Sequence, residues 1–131
     1  MKVVRIKDVV KAIDALTGDI VVFFNKDTYR FLYIPKQYQK QIDQCLMSNH
    51  MIPFLALQDI PFIEIREKFI ETLSGHLKKE FENAFVGESC LLKFKKTLSK
   101  THQWEEFNSF EYEKYKQLAR IWCEHNHIPY Q

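Results

Sequence analysis

Apolar and charged residues near the start of the chain follow the spacing of a short amphipathic helix. One stripe of "KDVVKAIDALTG" carries Val9, Val10, Ile13 and Leu16. Asp8 precedes this stripe and is expected to cap the first turn, and Gly18 follows the stripe as a stop signal. The pattern predicts an N-terminal helix.

The next segment, "DIVVFFNKDTYRFLYIP", has two β-rich runs on either side of the turn-like "NKDT". Residues 20–24 and 29–34 are therefore predicted to form a β-hairpin. In the second run, aromatic and aliphatic side chains occupy both alternating sets of positions, so both faces of the hairpin are expected to be partly covered. Pro35 ends this run because it has no amide hydrogen to donate.

Residues 36–50, "KQYQKQIDQCLMSNH", are rich in glutamine and only weakly periodic. A short helix and a loop both fit this pattern, and so does a segment that is ordered only in a complex. The following "MIPFLALQ" is expected to add a third strand or an edge segment.

Helical periodicity dominates the rest of the chain. In "DIPFIEIREKFIETL", Asp59 is expected to act as a cap and Pro61 to lie in the first turn. Gly87 separates the next two predicted helices, and a last helix is expected to run from about Phe107 through Trp122. The order of elements predicts an α+β fold, in which an N-terminal helix and a β-hairpin or small antiparallel sheet precede a mostly α-helical C-terminal half.

Composition limits the class of protein. With 131 residues, 46% of them hydrophobic and 15% aromatic, the chain suits a single domain over residues 1–131. The formal charge of +2 gives no global attraction to nucleic acid or acidic membranes. The three glycines are too far apart for a phosphate-binding loop, and no cofactor is predicted.

Compartment is indicated by the cysteines and by the lack of long apolar segments. Cys45, Cys90 and Cys123 are widely spaced, which favours reduced thiols over a disulfide framework. The N-terminus lacks the apolar core of a signal peptide, and no apolar run approaches the ~20 residues that span a bilayer. A cytoplasmic protein without membrane association is expected.

Four segments together resemble a known family. The hairpin "FFNKDTYRFLYIP", then "FIEIREKFIETL", then "FKKTL" followed by "WEEF", and finally "LARIWCEHNHI" are similar to the bacterial uncharacterised protein family 0158. The spacing from Phe94 and Lys95 through Trp104 to Trp122 is the most specific part of the resemblance. It implies a single cytoplasmic domain and carries no activity, cofactor or catalytic residue.

Two segments depart from the pattern of that family. "SCLLKFK" corresponds to a Gly-Ala-Phe-Arg-Arg-Phe-Lys-like segment, with Ser89 in place of the glycine and Leu92 in place of one basic residue. "WCEHNHI" corresponds to a Trp-Leu-Glu-Glu-Asn-Gly-Ile-like run at the end of the last helix. There, Cys123 replaces an apolar residue and His127 replaces a helix-ending glycine, which implies a structural role.

The segment "IWCEHNHIPY" is the densest in possible metal ligands. On a helix, Cys123 and His127 would share a face, whereas His125 would lie about 200° around the helix from Cys123. Because zinc takes three or four converging ligands, Cys123 and His127 are only weak candidates and no metal is predicted. The favoured alternative is a buried Cys123 with both histidines near a helix C-terminus.

A second candidate site is basic. In "KFKKTLSKTHQW", Lys93, Lys96 and Lys100 fall on one helix face, and Trp104 follows as a side chain that could stack on a base. Such a face could meet phosphates. A charged outer face is equally typical of any surface helix, and the two glutamates that follow Trp104 would repel a polyanion.

Two further patterns favour structural roles. Glu64, Glu67 and Glu71 form an acidic stripe that could hold a cation, but Lys68 is placed for a surface ion pair with Glu64. Cys90 is predicted near a helix N-terminus, where its thiol could be activated. A solvated acidic face and a packed cysteine are the simpler interpretations.

Three functions are consistent with these sequence patterns. The leading one is a non-enzymatic binding or regulatory domain that acts through a protein partner or as a homodimer, because the abundant aromatic residues can leave an apolar patch exposed. One alternative is association with nucleic acid through Lys93, Lys96, Lys100 and Trp104. The other is a small enzyme with a reactive Cys90 or with a metal held by Cys123 and His127.

Overall fold

The structure, a computed structural model, describes all residues from 1 to 131 and has the predicted α+β architecture. Its elements, in chain order, are α1 (Ile6–Asp14), β1 (Ile20–Asn25), β2 (Arg30–Pro35), α2 (Gln39–Met47), β3 (Met51–Pro53), a short 3-10 turn (Leu57–Asp59), α3 (Phe62–Glu71), α4 (Gly75–Ala84), α5 (Cys90–Thr101) and α6 (Trp104–His125). The sheet has the order β2-β1-β3 and both pairings are antiparallel. The predicted fold class is confirmed.

The chain forms two compact units. The sheet unit comprises residues 1–60 and 115–131, and the helical unit comprises residues 61–114. Helix α6 contributes residues to both. The single domain over residues 1–131 remains a prediction.

Both faces of the sheet unit's central hairpin are covered, as the sequence predicted. On one face, Phe24 and its cross-strand partner Phe31 pack on Trp122, with ring centroids 5.7 and 6.0 Å from the indole. On the other face, the core contains Phe23 and Ile34 together with Ile42 and Cys45 of α2. Apolar side chains at consecutive positions of β1 and β2 are thus explained by two separate cores.

The glutamine-rich segment forms α2, and the segment after it adds β3 at the edge of the sheet. Of the alternatives that the sequence left open, the helix for residues 36–50 and the third strand are therefore observed. Ile42 and Cys45 are the residues of α2 that are buried, which is enough to hold a short helix on the sheet.

The cores of the helical unit are aromatic. Each of its helices contributes at least one phenylalanine to a common cluster, which includes Phe69 from α3, Phe81 from α4, Phe94 from α5 and Phe107 from α6. Ring centroids of these residues lie 5.0 to 6.1 Å apart, mostly edge to face, which is the favoured geometry for aromatic pairs.

Several element boundaries differ from those predicted. Helix α1 begins at Ile6, so Asp8 lies in its first turn and accepts a hydrogen bond from Arg5 Nε instead of capping the helix. Asp59 ends the 3-10 turn, where its carboxylate accepts from the amide of Ala56 at 2.8 Å, and it does not cap α3. Each aspartate therefore accepts a hydrogen bond from a donor three residues earlier and does not cap the helix as predicted.

The last helix begins three residues earlier than predicted, at Trp104. Helix α5 ends where His102 adopts a left-handed conformation, φ 58°, and the amide of Gln103 donates to the carbonyl of Leu98 at 3.0 Å. This is a Schellman ending in which a histidine occupies the position usually taken by glycine. The break is sharp, so α6 starts almost at once.

Candidate functional site

A groove in the helical unit contains one of the predicted site residues, Trp104. It lies along α5 between α3 and the start of α6, with a cavity volume of about 400 Å³. Phe94, Leu98 and Phe107 form its floor and are almost completely buried. These three residues belong to the core of the unit, so the floor is held rigidly.

The rim of the groove is apolar and open to solvent. Leu91, Leu92 and Trp104 retain 43%, 55% and 37% of their surface exposed. The buried stripe of α5 consists of Phe94, Thr97 and Leu98, and the first turn projects beyond it.

Arg66 of α3 reaches the groove as a cation held by aromatic rings. Its guanidinium carbon lies 5.1 Å from the centroid of Phe107 and 5.5 Å from that of Phe94, within the range of cation–π attraction. Nη1 donates to the carbonyl of Phe62 at 3.1 Å, and Nη2 lies 3.8 Å from Oε2 of Glu111. The second distance is longer than a hydrogen bond, so the pairing with Glu111 is electrostatic.

Trp104 is fixed in its orientation by a hydrogen bond. The indole Nε1–H donates to Oγ of Ser99 at 2.9 Å, across the break between α5 and α6. Satisfying this donor leaves the ring as an apolar surface on the rim of the groove. The hydrogen bond therefore directs the flat face of the indole to a defined position.

The four residues of the predicted basic face have different surroundings. Lys93 Nζ donates to the carbonyl of Val86, and Lys100 Nζ lies 2.9 Å from Oε1 of Glu80 on α4. Lys96 is exposed, and Trp104 lies in the groove, which two other cations, Arg66 and Lys95, also line. Whether these residues bind a ligand remains a prediction.

The C-terminal cluster forms a helix end. Cys123 is completely buried, and this burial together with the charge of Glu124 raises the pKa of its thiol to about 11. His127 is exposed at φ 57°, and the amide of Ile128 donates to the carbonyl of Cys123 at 2.8 Å. Here too a histidine replaces glycine in a Schellman ending. Cys123 and His127 therefore lie at the end of α6, with the thiol buried in the core and the imidazole exposed to solvent.

The remaining candidates give no constellation for catalysis. Glu64, Glu67 and Glu71 are exposed, and Lys68 pairs with Glu71 at 4.0 Å, whereas the sequence had suggested Glu64. Cys90 is half-buried at the start of α5. No group of three or more His, Cys, Asp or Glu side chains is arranged to hold a metal ion.

Comparison of the chain with protein-family models, with curated proteins and with solved structures finds no match. The resemblance to family 0158 remains a prediction. None of the helices is both long and apolar enough to cross a bilayer.

Proposed function

We propose that the protein is a non-enzymatic binding module that acts through a protein partner, with the groove of the helical unit as its binding surface. The observation that carries the proposal is the apolar rim, where Leu91, Leu92 and Trp104 stand exposed around one cavity. Apolar side chains that are exposed side by side around a groove mark an interaction surface, and a tryptophan at such a place is a typical anchor of interfaces.

Cytoplasmic location is part of the same proposal. Cys45, Cys90 and Cys123 are free thiols, and two of them are buried. Such cysteines suit a reducing compartment.

The nucleic-acid alternative has less support. Lys93 and Lys100 already contact a carbonyl and a carboxylate of their own unit, so phosphates would have to compete for them. Glu105 and Glu106 are exposed next to Trp104 and would repel a polyanion. Self-association through the same groove is equally compatible with its exposed rim. The mass of a crosslinked adduct distinguishes it from binding of another protein.

The test is site-specific crosslinking in the native host cell. A photo-crosslinking amino acid replaces Leu92, and a second strain carries it at Gln41, an exposed position of α2. We expect a discrete adduct with another protein from position 92 that is lost when Leu91→Glu is added, because a carboxylate on the rim opposes burial. Position 41 serves as the matched control.

Either of two results would refute the proposal: no adduct from position 92, or the same adducts from positions 92 and 41. An adduct with twice the 15.8 kDa mass of the chain would select self-association instead.

A further inference from the structure

Both charged residues that line the groove are cations. Arg66 and Lys95 share it with apolar side chains, and no carboxylate is among the lining residues. Glu111 lies 3.8 Å from one nitrogen of Arg66, which leaves the guanidinium without a bidentate carboxylate partner. The groove therefore combines an apolar surface with positive charge.

The groove is walled by helices. Arg66 belongs to α3, the residues from Leu91 to Leu98 belong to α5, and Trp104 and Phe107 belong to α6. No strand edge lines it, so an extended peptide would find no ladder of backbone donors and acceptors. A polypeptide that enters an apolar groove must satisfy its own backbone, and a helix does so internally.

From these observations we infer that the groove binds an acidic amphipathic helix of a partner protein. Large apolar side chains of that helix cover Leu91, Leu92 and Trp104 above the buried floor, and its flanking carboxylates meet Arg66 and Lys95. The inference rests on the proposed function and adds the chemistry of the partner. Charge complementarity selects this partner, because a basic helix would place ammonium groups beside two cations. Glu105 and Glu106 are not among the lining residues, so they oppose carboxylates of the partner only where these extend past Trp104 and out of the groove.

The two cations of the groove set the specificity of binding more than its total affinity. The contact of a carboxylate with Lys95 is exposed and worth little by itself, whereas the contact with Arg66 is partly buried and lies on aromatic rings. The discrimination between an acidic and a basic helix is therefore expected to exceed the effect of either cation alone.

The probes are two designed peptides of about 15 residues, long enough to form helix. One has leucine and phenylalanine at i, i+3, i+4 and i+7 with glutamate at the flanking positions, and its twin has lysine in place of every glutamate. Fluorescence anisotropy of the labelled peptides with the full chain gives both affinities. We expect the acidic peptide to bind at least about tenfold more tightly.

Variants locate the charge effect. Lys95→Glu is expected to weaken the acidic peptide by at least about threefold and to strengthen the lysine twin. Lys40→Glu makes the same change of net charge on α2 of the sheet unit, and it is expected to shift neither affinity by more than about twofold. Arg66→Met keeps the volume of the side chain and is expected to remove most of the preference for the acidic peptide.

Four results would overturn the inference. They are equal binding of the two peptides, binding of neither, an equal effect of Lys95→Glu and Lys40→Glu, and self-association of the unmodified chain that excludes the acidic peptide. Tighter binding of a single-stranded oligonucleotide, lost in Lys96→Glu, would select the nucleic-acid alternative. If the crosslinked partner depends on Leu91 but both peptides bind equally, the proposed function stands and only the acidic-helix inference fails.

Discussion

Replacing Phe94 by alanine is expected to destabilise the helical unit strongly. Phe94 is 1% exposed, and its ring centroid lies 5.0 Å from that of Phe107, 5.3 Å from that of Phe81 and 5.6 Å from that of Phe85. Truncation removes the largest buried side chain of α5 and leaves a cavity among the other rings. Such substitutions cost about 3–5 kcal/mol. The loss of one ring beneath Arg66 places this site toward the upper end of that range.

The size of this effect makes it easy to measure. The free energy of unfolding of a domain is only about 5–15 kcal/mol, so the change removes a large share of it. With a urea dependence near 2 kcal/mol per molar, the midpoint is expected to fall by about 2 M. Far-UV circular dichroism follows the loss of helix in both proteins.

Leu92→Ala is the matched control on the same helix. Leu92 is 55% exposed, so its truncation is expected to change the free energy of unfolding by less than about 0.5 kcal/mol. The same variant is expected to weaken the crosslinked or peptide complex, because it removes part of the rim. If Leu92→Ala destabilised the protein as much as Phe94→Ala, the division of the groove into a packed floor and an exposed rim would be refuted.

Three other substitutions probe single features. His127→Gly is expected to raise the free energy of unfolding by up to about 1 kcal/mol in thermal melting, since φ is 57° there; a decrease would contradict the left-handed helix end. The pKa of Cys123 rises from 9.0 to about 11 on folding, so its stabilising effect is present below pH 9.0 and lost toward pH 11, a change of about 2–3 kcal/mol. Cys123→Ala is expected to remove that part of the alkaline loss in urea titrations, and parallel pH curves would argue against a buried thiol. Arg66→Met is expected to leave the free energy of unfolding, measured by urea titration, within about 1 kcal/mol of the wild type, and a much larger loss would show that Arg66 is mainly a structural residue.

Most of the fold follows from hydrophobic periodicity. The N-terminal helix, the hairpin with two covered faces and the helical C-terminal half could all be predicted from the sequence. In each segment the apolar residues repeat with the spacing of a helix or of a strand. Boundaries are less visible. The break at His102 and Gln103 contains neither glycine nor proline, and it depends on a left-handed histidine whose conformation no local pattern announces.

The groove could be predicted only in part from the sequence, because its lining residues are far apart along the chain. The sequence picked out Trp104 but paired it with Lys93, Lys96 and Lys100, and it missed Arg66, Leu92 and Lys95 as lining residues. A signal for the rim was nevertheless present. Leu92 lies about 160° around the helix from Phe94, so the two cannot face the same core. An apolar arc as wide as this indicates a second contact surface on α5.

Arg66 links the packing of the helical unit to the proposed binding surface. The side chain of Arg66 is only 18% exposed, so its charge has lost part of its hydration, which is a cost that an apolar side chain of the same volume would avoid. The phenylalanine rings, the carbonyl of Phe62 and the more distant Glu111 offset this cost without occupying all five N–H donors. Packing alone therefore gives no advantage to arginine over methionine at this position. An anionic partner does favour arginine over methionine, because it would bind a guanidinium that the core has already oriented and partly desolvated. Little further ordering is then required when the complex forms.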